Sequence, residues 1–186
     1  MSKLIIIDNY DSFTYNLVHY LEPYCKEITV FRNDDINYQK ISNSHKILLS
    51  PGPGLPKENK ELINVIDRFH LTNNILGICL GHQALGEYFG AKLYNLPLVR
   101  HGIQTKLQVL DHEQLFKNLP GSFLIGHYHS WIIKEIPKQL KICAIDYEKN
   151  AMAFRHLYLN IYGIQFHPES ILTEHGQEIL KNWINS

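Results

Sequence analysis

The sequence predicts an α/β fold, an open, mostly parallel sheet with helices on both faces, plus a small antiparallel sheet. Three observations lead there. Short unbroken apolar runs, Leu4–Ile7, Ile47–Leu49 and Ile75–Ile78, have the length and uniformity of strands buried on both faces. Segments with apolar residues at helical spacing lie between them, so strand and helix alternate and right-handed crossovers follow. Polar or Gly/Pro-rich turns end the runs, Asp8-Asn9-Tyr10-Asp11 after the first and Ser50-Pro51-Gly52-Pro53-Gly54 after the second. With 186 residues and no repeat, linker or low-complexity tract, residues 1–186 read as one domain able to bury its own core.

Taken in order, Leu4–Ile7 is the first strand, and from Ser12 the pattern turns helical through Phe13, Leu17, Tyr20 and Leu21, with Asp11 or Ser12 as N-cap. Ile28–Phe31 and Ile47–Leu49 are the next strands. Glu61–His70 is a helix with Leu62, Val65, Ile66 and Phe69 on one side, leading into the strand Ile75–Ile78 and a helical segment, His82–Phe89. Beyond it Lys92–Leu96, Thr105–Leu110 and Ser122–Gly126 read as separate short strands broken by Pro and Gly. Leu140–Ile145, Ala151–Phe154 and Ile161–Phe166 continue the strands, and Gln177–Ile184 closes the chain as an amphipathic helix.

Lys plus Arg and Asp plus Glu both number 18, so the net charge is zero. No basic run gives a footprint for nucleic acid or for an anionic membrane. Small molecules and proteins are the expected partners. Cys25, Cys79 and Cys143 are odd in number and far apart, with no C-x-x-C pair, and read as reduced thiols. The opening lacks a signal-peptide apolar region, and no apolar run approaches the roughly 20 residues of a membrane span. The expectation is a cytoplasmic protein.

Two stretches carry chemistry. In Gly77-Ile78-Cys79-Leu80-Gly81-His82-Gln83 a strand turns abruptly into a helix at a cysteine with glycines two residues to each side. This copies, with sulfur for oxygen, the nucleophile elbow, whose bare glycines permit a tight turn that presents the nucleophile. The helix N-terminus beside Cys79 favours thiolate, the reactive form. The second stretch is Tyr162-Gly163-Ile164-Gln165-Phe166-His167-Pro168-Glu169-Ser170, an apolar strand that delivers a histidine and a glutamate two residues apart at its end. That spacing in extended chain places both on one side. Glu169 can then orient the imidazole of His167, giving a Cys–His–Glu relay. Ser50–Pro56, where prolines fix the backbone and glycines leave it bare, falls with Cys79 at the carboxyl ends of the strands, where open sheets bind ligands. His101, His112, His127 and His129 match no zinc spacing and lack companion cysteines or paired carboxylates, so no metal site is expected.

Together, Gly77–Gln83 and His167-Pro168-Glu169 resemble the class I (triad) glutamine amidotransferases, whose flavodoxin-like fold is the one read above. Ser50–Gly54 and the opening Asp8–Asn16 narrow the resemblance to the glutaminase components of anthranilate synthase and aminodeoxychorismate synthase. Tyr128-His129-Ser130 and His167–Thr173 extend it over essentially the whole chain. The resemblance implies that Cys79 attacks the side-chain amide of L-glutamine, releasing ammonia and forming a glutamyl thioester that water hydrolyses. It makes His167 the acid and base and Glu169 its orienting partner. The N–H groups of Leu80 and Gly52 would form the oxyanion hole. Gly52, Pro53 and Gly54, the side chain of Gln83 and the backbone of Ser130 and Trp131 would hold the amino-acid end of the substrate.

No cofactor is implied in this subunit, Mg2+ being expected on the partner. That partner is a separate chorismate-binding synthase subunit, component I, that accepts the ammonia. Its product is anthranilate, for tryptophan biosynthesis, or alternatively aminodeoxychorismate, for folate biosynthesis, or both. A regulatory glutaminase-like binding subunit would show a broken triad. An ester or peptide hydrolase would share the elbow but leave Ser50–Gly54 and the opening motif unexplained. His127, Trp131 and Ile103 depart from residues usual in the resembling proteins, and they are expected in loops near the glutamine pocket and the partner.

Overall fold

The computed structural model describes residues 2–186. Its strands are β1 (Ser2–Asp8), β2 (Cys25–Arg32), β3 (Lys46–Leu49), β4 (Asn74–Ile78), β5 (Lys92–Val109), β6 (Ser122–Lys134), β7 (Leu140–Ile145), β8 (Ala151–His156) and β9 (Ile161–Ile164). The helices are α1 (Thr14–Leu21), α2 (Tyr38–Ser42), α3 (Lys60–Phe69), α4 (Leu80–Tyr88) and α5 (Gly176–Ile184).

All nine strands form one sheet in the order β2-β1-β3-β4-β9-β8-β7-β5-β6. The five from β2 to β9 are parallel. The antiparallel strands are not a detached sheet, because β8 pairs with β9 and β7 with β8. The sequence expectation of an open α/β sheet holds, with its antiparallel part grown onto the parallel edge. Membership of the ribbon β5–β6 is slight at the join, where only Gln108 and Val109 pair with β7.

Alternation along the central strands divides the core. Leu4 and Ile6 of β1 lie with Leu48, Leu76 and Ile78 against Leu17 and Leu21 of α1 and Ile179, Leu180 and Trp183 of α5. Ile5 and Ile7 lie with Ile47, Leu49 and Ile75 against α3 and α4 on the opposite face. Both faces are covered, so the strands read as continuous apolar runs, each fully buried aliphatic side chain contributing roughly 1.5–3 kcal/mol. Lys46, buried beside Cys25, donates from Nζ to the carbonyl of Trp183 at 2.7 Å and fastens α5 to the sheet. The three cysteines are free thiols. No helix among the described residues is long and apolar enough to cross a membrane.

Several boundaries differ from expectation. Lys92–Leu96 and Thr105–Leu110, the latter but for its last residue, are parts of one 18-residue strand, and Ser122–Gly126 opens a 13-residue one. The Pro and Gly that read as breaks are absorbed as irregularities in the ladder, Gly102 taking a φ of 67°. The N-cap of α1 is Phe13, without a side-chain cap. Asp11 instead accepts the Phe13 N–H at 2.9 Å, and the Thr14 hydroxyl donates back to Asp8 at 2.7 Å. The short α2, capped by Asn37, has too few residues for a period to show.

Candidate active site

Cys79 stands between β4 and α4 with φ 51° and ψ −100°, a conformation that a side chain rarely adopts and that stores about 1–3 kcal/mol of strain. The neighbouring strand holds it there, because the Cys79 N–H donates to the Ile164 carbonyl at 2.8 Å. Both flanking glycines are needed sterically. A β-carbon at Gly77 would enter the Gly81 carbonyl, and one at Gly81 would come within 2.5 Å of the Leu49 carbonyl oxygen.

β9 ends at Ile164, beside Cys79, and the chain then bends through Gln165 and Phe166 to His167. The pairing of His167 with Glu169 is as expected, but its local cause is different. Residues 167–170 form a turn closed by the Ser170 N–H on the His167 carbonyl at 3.2 Å, not an extended strand end. The turn brings His167 Nδ1 to 2.6 Å from Glu169 Oε1, with both side chains buried. Thr173 Oγ1 donates to the His167 carbonyl at 2.6 Å, and the Tyr128 ring packs edge-on against the imidazole at 4.9 Å. Burial opposes a charge on His167, yet a thiolate at Cys79 and the Glu169 carboxylate hold its pKa well above the ordinary imidazole value. The opposite ring nitrogen, Nε2, is buried without a hydrogen-bond partner, as is Glu169 Oε2. Asp11 is near enough to take part in this field: burial first, then the charge of Glu169, raises its pKa. A cleft of about 330 Å³ opens beside the pair, lined by Phe13, Asn16, Tyr20, Tyr128, His167 and Glu169.

The loop after β3 is held by Asn9 of the opening motif. The Asn9 N–H donates to Ser50 Oγ at 2.9 Å and its Nδ2 to the Ser50 carbonyl at 2.8 Å, while its Oδ1 accepts from Asn33 and Asn59. Asn9 also presses on Gly52, where a β-carbon would overlap its carbonyl. Gly54 has φ 78°, so Pro53-Gly54 turns the chain and leaves bare backbone facing outward. The Gly52 N–H donates to no backbone acceptor among the described residues and is free for a ligand.

Gln83 lies on α4 one turn beyond Cys79. Its Nε2 donates to the Trp131 carbonyl at 2.9 Å, tying α4 to β6. Ser130 precedes Trp131 where the β5–β6 ladder passes from Asn95 opposite Trp131 to Arg100 opposite His129. Residues 96–99 therefore stand against Ser130 alone, and no single residue lies opposite it in the register. His127 and Trp131 lie within β6 and Ile103 within β5, so the three departures are on strands and not in loops. His127 is buried, its Nε2 2.6 Å from Thr105 Oγ1 and its Nδ1 3.0 Å from His129 Nε2. Burial pushes its pKa down to about 4 and that of His129 to about 3. The adjacent Arg100 is buried in ion pairs with Asp146 and Glu148.

The predicted catalytic and glutamine-binding residues thus lie at or just beyond the carboxyl ends of β3, β4 and β9, at the start of α4, or on β6, with the opening motif at the end of β1 and Ile103 apart from them on β5. Gln165 was not among them. It is fully buried, with its Nε2 3.7 Å from Cys79 Sγ and its Oε1 3.3 Å from Gln83 Nε2. A polar residue inside the run Ile161–Phe166 was the available signal. The linking role of Asn9 carried no local signal.

A thiol on a strained elbow, a buried histidine–glutamate pair and bare backbone donors nearby together suit acyl transfer through a thioester. Comparison with known proteins agrees with this chemistry. The family described as glutamine amidotransferase class-I matches residues 5–186. The chain is 43% identical over 188 residues to anthranilate synthase component 2 of Porphyra purpurea, covering 98% of this chain and 99% of that one. It is 40% identical over 192 residues to anthranilate synthase component 2 of Pseudomonas aeruginosa, covering 97% and 94%. Among solved structures, a Thermoplasma acidophilum protein described as part of a GMP synthase superposes with a TM-score of 0.90 at 28% identity, covering 100% of this chain and 93% of that one.

Proposed function

The chain belongs to the class I glutamine amidotransferases, and on that basis we propose that it is the glutaminase subunit of an anthranilate synthase, serving tryptophan biosynthesis. The observation that carries the reaction is the Cys79 elbow hydrogen-bonded to the strand that leads into the His167–Glu169 pair. Relatives matched over nearly their full length and named anthranilate synthase component 2 support that branch over aminodeoxychorismate synthesis.

Cys79 Sγ attacks the side-chain carbonyl of glutamine, and the Leu80 and Gly52 N–H groups receive the negative charge that moves to oxygen. Such donors are worth about 3–4 kcal/mol each in related chemistry. The imidazolium of His167 protonates the departing nitrogen, which leaves as ammonia, and the glutamyl group remains on sulfur. A water then gives its proton to His167 and its oxygen to the acyl carbon, releasing glutamate and restoring the thiolate. Glu169 fixes the tautomer and supports the imidazolium in both steps. The Gly52–Gly54 backbone, the free Oε1 of Gln83 and the backbone of Ser130 and Trp131 hold the amino-acid end of the substrate. The chain's own residues suffice for this half-reaction without a cofactor. Ammonia passes to a chorismate-binding component I, where any Mg2+ would act.

The test is product formation from chorismate and glutamine with candidate synthase subunits added, scoring anthranilate and aminodeoxychorismate separately. Wild-type chain should yield anthranilate, and Cys79→Ala should yield none until ammonia is supplied. Glutamine-dependent product from Cys79→Ala would overturn the nucleophile assignment, and aminodeoxychorismate alone would overturn the branch.

A further inference from the structure

The steps above give Gln165 no part, although its side chain is fully buried against the reacting sulfur. Its backbone is fixed by the N–H bond to the Met152 carbonyl at 2.8 Å, so its position follows the sheet. The orientation of its amide is fixed as well, by a chain of three hydrogen bonds. The chain starts at the Trp131 carbonyl, which can only accept. Gln83 therefore turns its NH2 toward Trp131, at 2.9 Å. The same NH2 supplies Gln165 Oε1 at 3.3 Å. Gln165 is left with its own NH2 facing Cys79 Sγ, at 3.7 Å. A donor in that place does little for a neutral thiol, whose sulfur is a weak acceptor, and much more for a thiolate, because hydrogen bonds to ionised partners are roughly twice as strong.

We propose that Gln165 is a further catalytic residue of this site: its amide donates to the Cys79 thiolate and, through Gln83, links the nucleophile to the subsite for the amino-acid end of glutamine. The proposal rests on the glutaminase reading in taking Cys79 as the nucleophile. Gln83 has both N–H groups committed in this chain, so its free Oε1 meets the substrate, and a shift of Gln83 on binding is passed to Gln165 and the sulfur. The thiolate then has two supports of different kind, a counter-ion in His167 and a neutral donor in Gln165. Only the second is coupled to the substrate pocket by hydrogen bonds.

The test is the pH dependence of Cys79 alkylation by iodoacetamide, read on the intact chain without glutamine or synthase, with Cys79→Ala subtracting reaction at Cys25 and Cys143. Gln165→Met keeps the length and removes the donor. Gln165→Glu keeps an acceptor for Gln83 and sets a carboxylate against the sulfur. The midpoint should rise by about one to two pH units in Gln165→Met and further in Gln165→Glu. Glutaminase kcat at pH 7 should fall about tenfold or more in both. A role in packing alone would lower the reactive fraction and leave the midpoint in place, which would overturn the proposal. Should neither variant fold, the side-chain amide signals of Gln165 in the wild-type chain decide by NMR. They should titrate with the alkylation midpoint and cease to do so in Cys79→Ala, and signals indifferent to the thiol would overturn the proposal. Glutaminase activity surviving in Cys79→Ala would instead sink the reading on which the proposal rests.

Discussion

His82 gives a prediction whose sign and size both follow from its surroundings. The side chain is wholly buried on α4, its ring centroid 4.8 Å from that of Phe154, and although the Gly163 backbone lies close, neither ring nitrogen makes a well-formed hydrogen bond. Burial pushes its pKa from 6.5 down to about 3. Between these values the unfolded chain holds a proton that the folded chain does not, so stability is complete above the unfolded pKa and is lost as pH falls below it. At about 1.4 kcal/mol per pH unit, the loss from this one residue reaches about 2 kcal/mol at pH 5. His82→Leu removes the titration and keeps an apolar side chain of similar reach. Urea denaturation followed by tryptophan fluorescence at pH 8 and pH 5 gives the unfolding free energy of each protein. Any packing cost of leucine is the same at both pH values and cancels in the comparison, as does His167, whose raised pKa acts with the opposite sign in both proteins. The difference between variant and parent should shift by about 2 kcal/mol in favour of the variant on going to pH 5. An unchanged difference would refute the argument that a buried neutral histidine sets this acid sensitivity.

The strained backbone of Cys79 predicts that Cys79→Gly is more stable than Cys79→Ala by about 1 kcal/mol or more, the reverse of the usual order, with equal thermal midpoints as the contrary result. Gly81→Ala sets a methyl 2.5 Å from the Leu49 carbonyl oxygen and should cost about 3 kcal/mol or more, measurable as a lowered urea midpoint; full stability would mean that β3 and α4 can separate at little cost. Glu169→Gln removes one of the two charges that raise the His167 pKa and one partner in a 2.6 Å contact. It should reduce glutaminase kcat on the order of 100-fold or more with a smaller change in KM, and an unaltered kcat would exclude Glu169 from the relay.

Much of the fold was legible because the central strands are buried on both faces and leave apolar runs that no helix of that length would have. The ribbon β5–β6 was not, since Pro97, Gly102 and Gly126 break a local pattern that cross-strand pairing carries through. The elbow could be read in full, because its requirement for glycine is local. His167 and Glu169 were paired correctly from an extended spacing, though a turn is what joins them. Gln165 escaped because side-chain direction in the bend after β9 has no period to reveal it. Asn9 escaped because its partners Asn33, Ser50 and Asn59 are distant in sequence and meet only after the sheet has formed.

The order of the strands sorts the parts of the site by how freely they move. Cys79 and the segment leading to His167 issue from neighbouring strands, with the Cys79 N–H bonded across to Ile164, so the points where the two leave the sheet are held together by the ladder. Gly52 hangs from β3 by a loop fastened at Ser50 by the backbone N–H and the side-chain amide of one asparagine. Tyr10, about half exposed, adjoins that asparagine directly. A push at this surface has a one-residue lever arm to the amide donor and almost none to the sulfur and imidazole. In such a molecule the charged pair is set once, at folding, and the donor that completes the site is the part left open to adjustment.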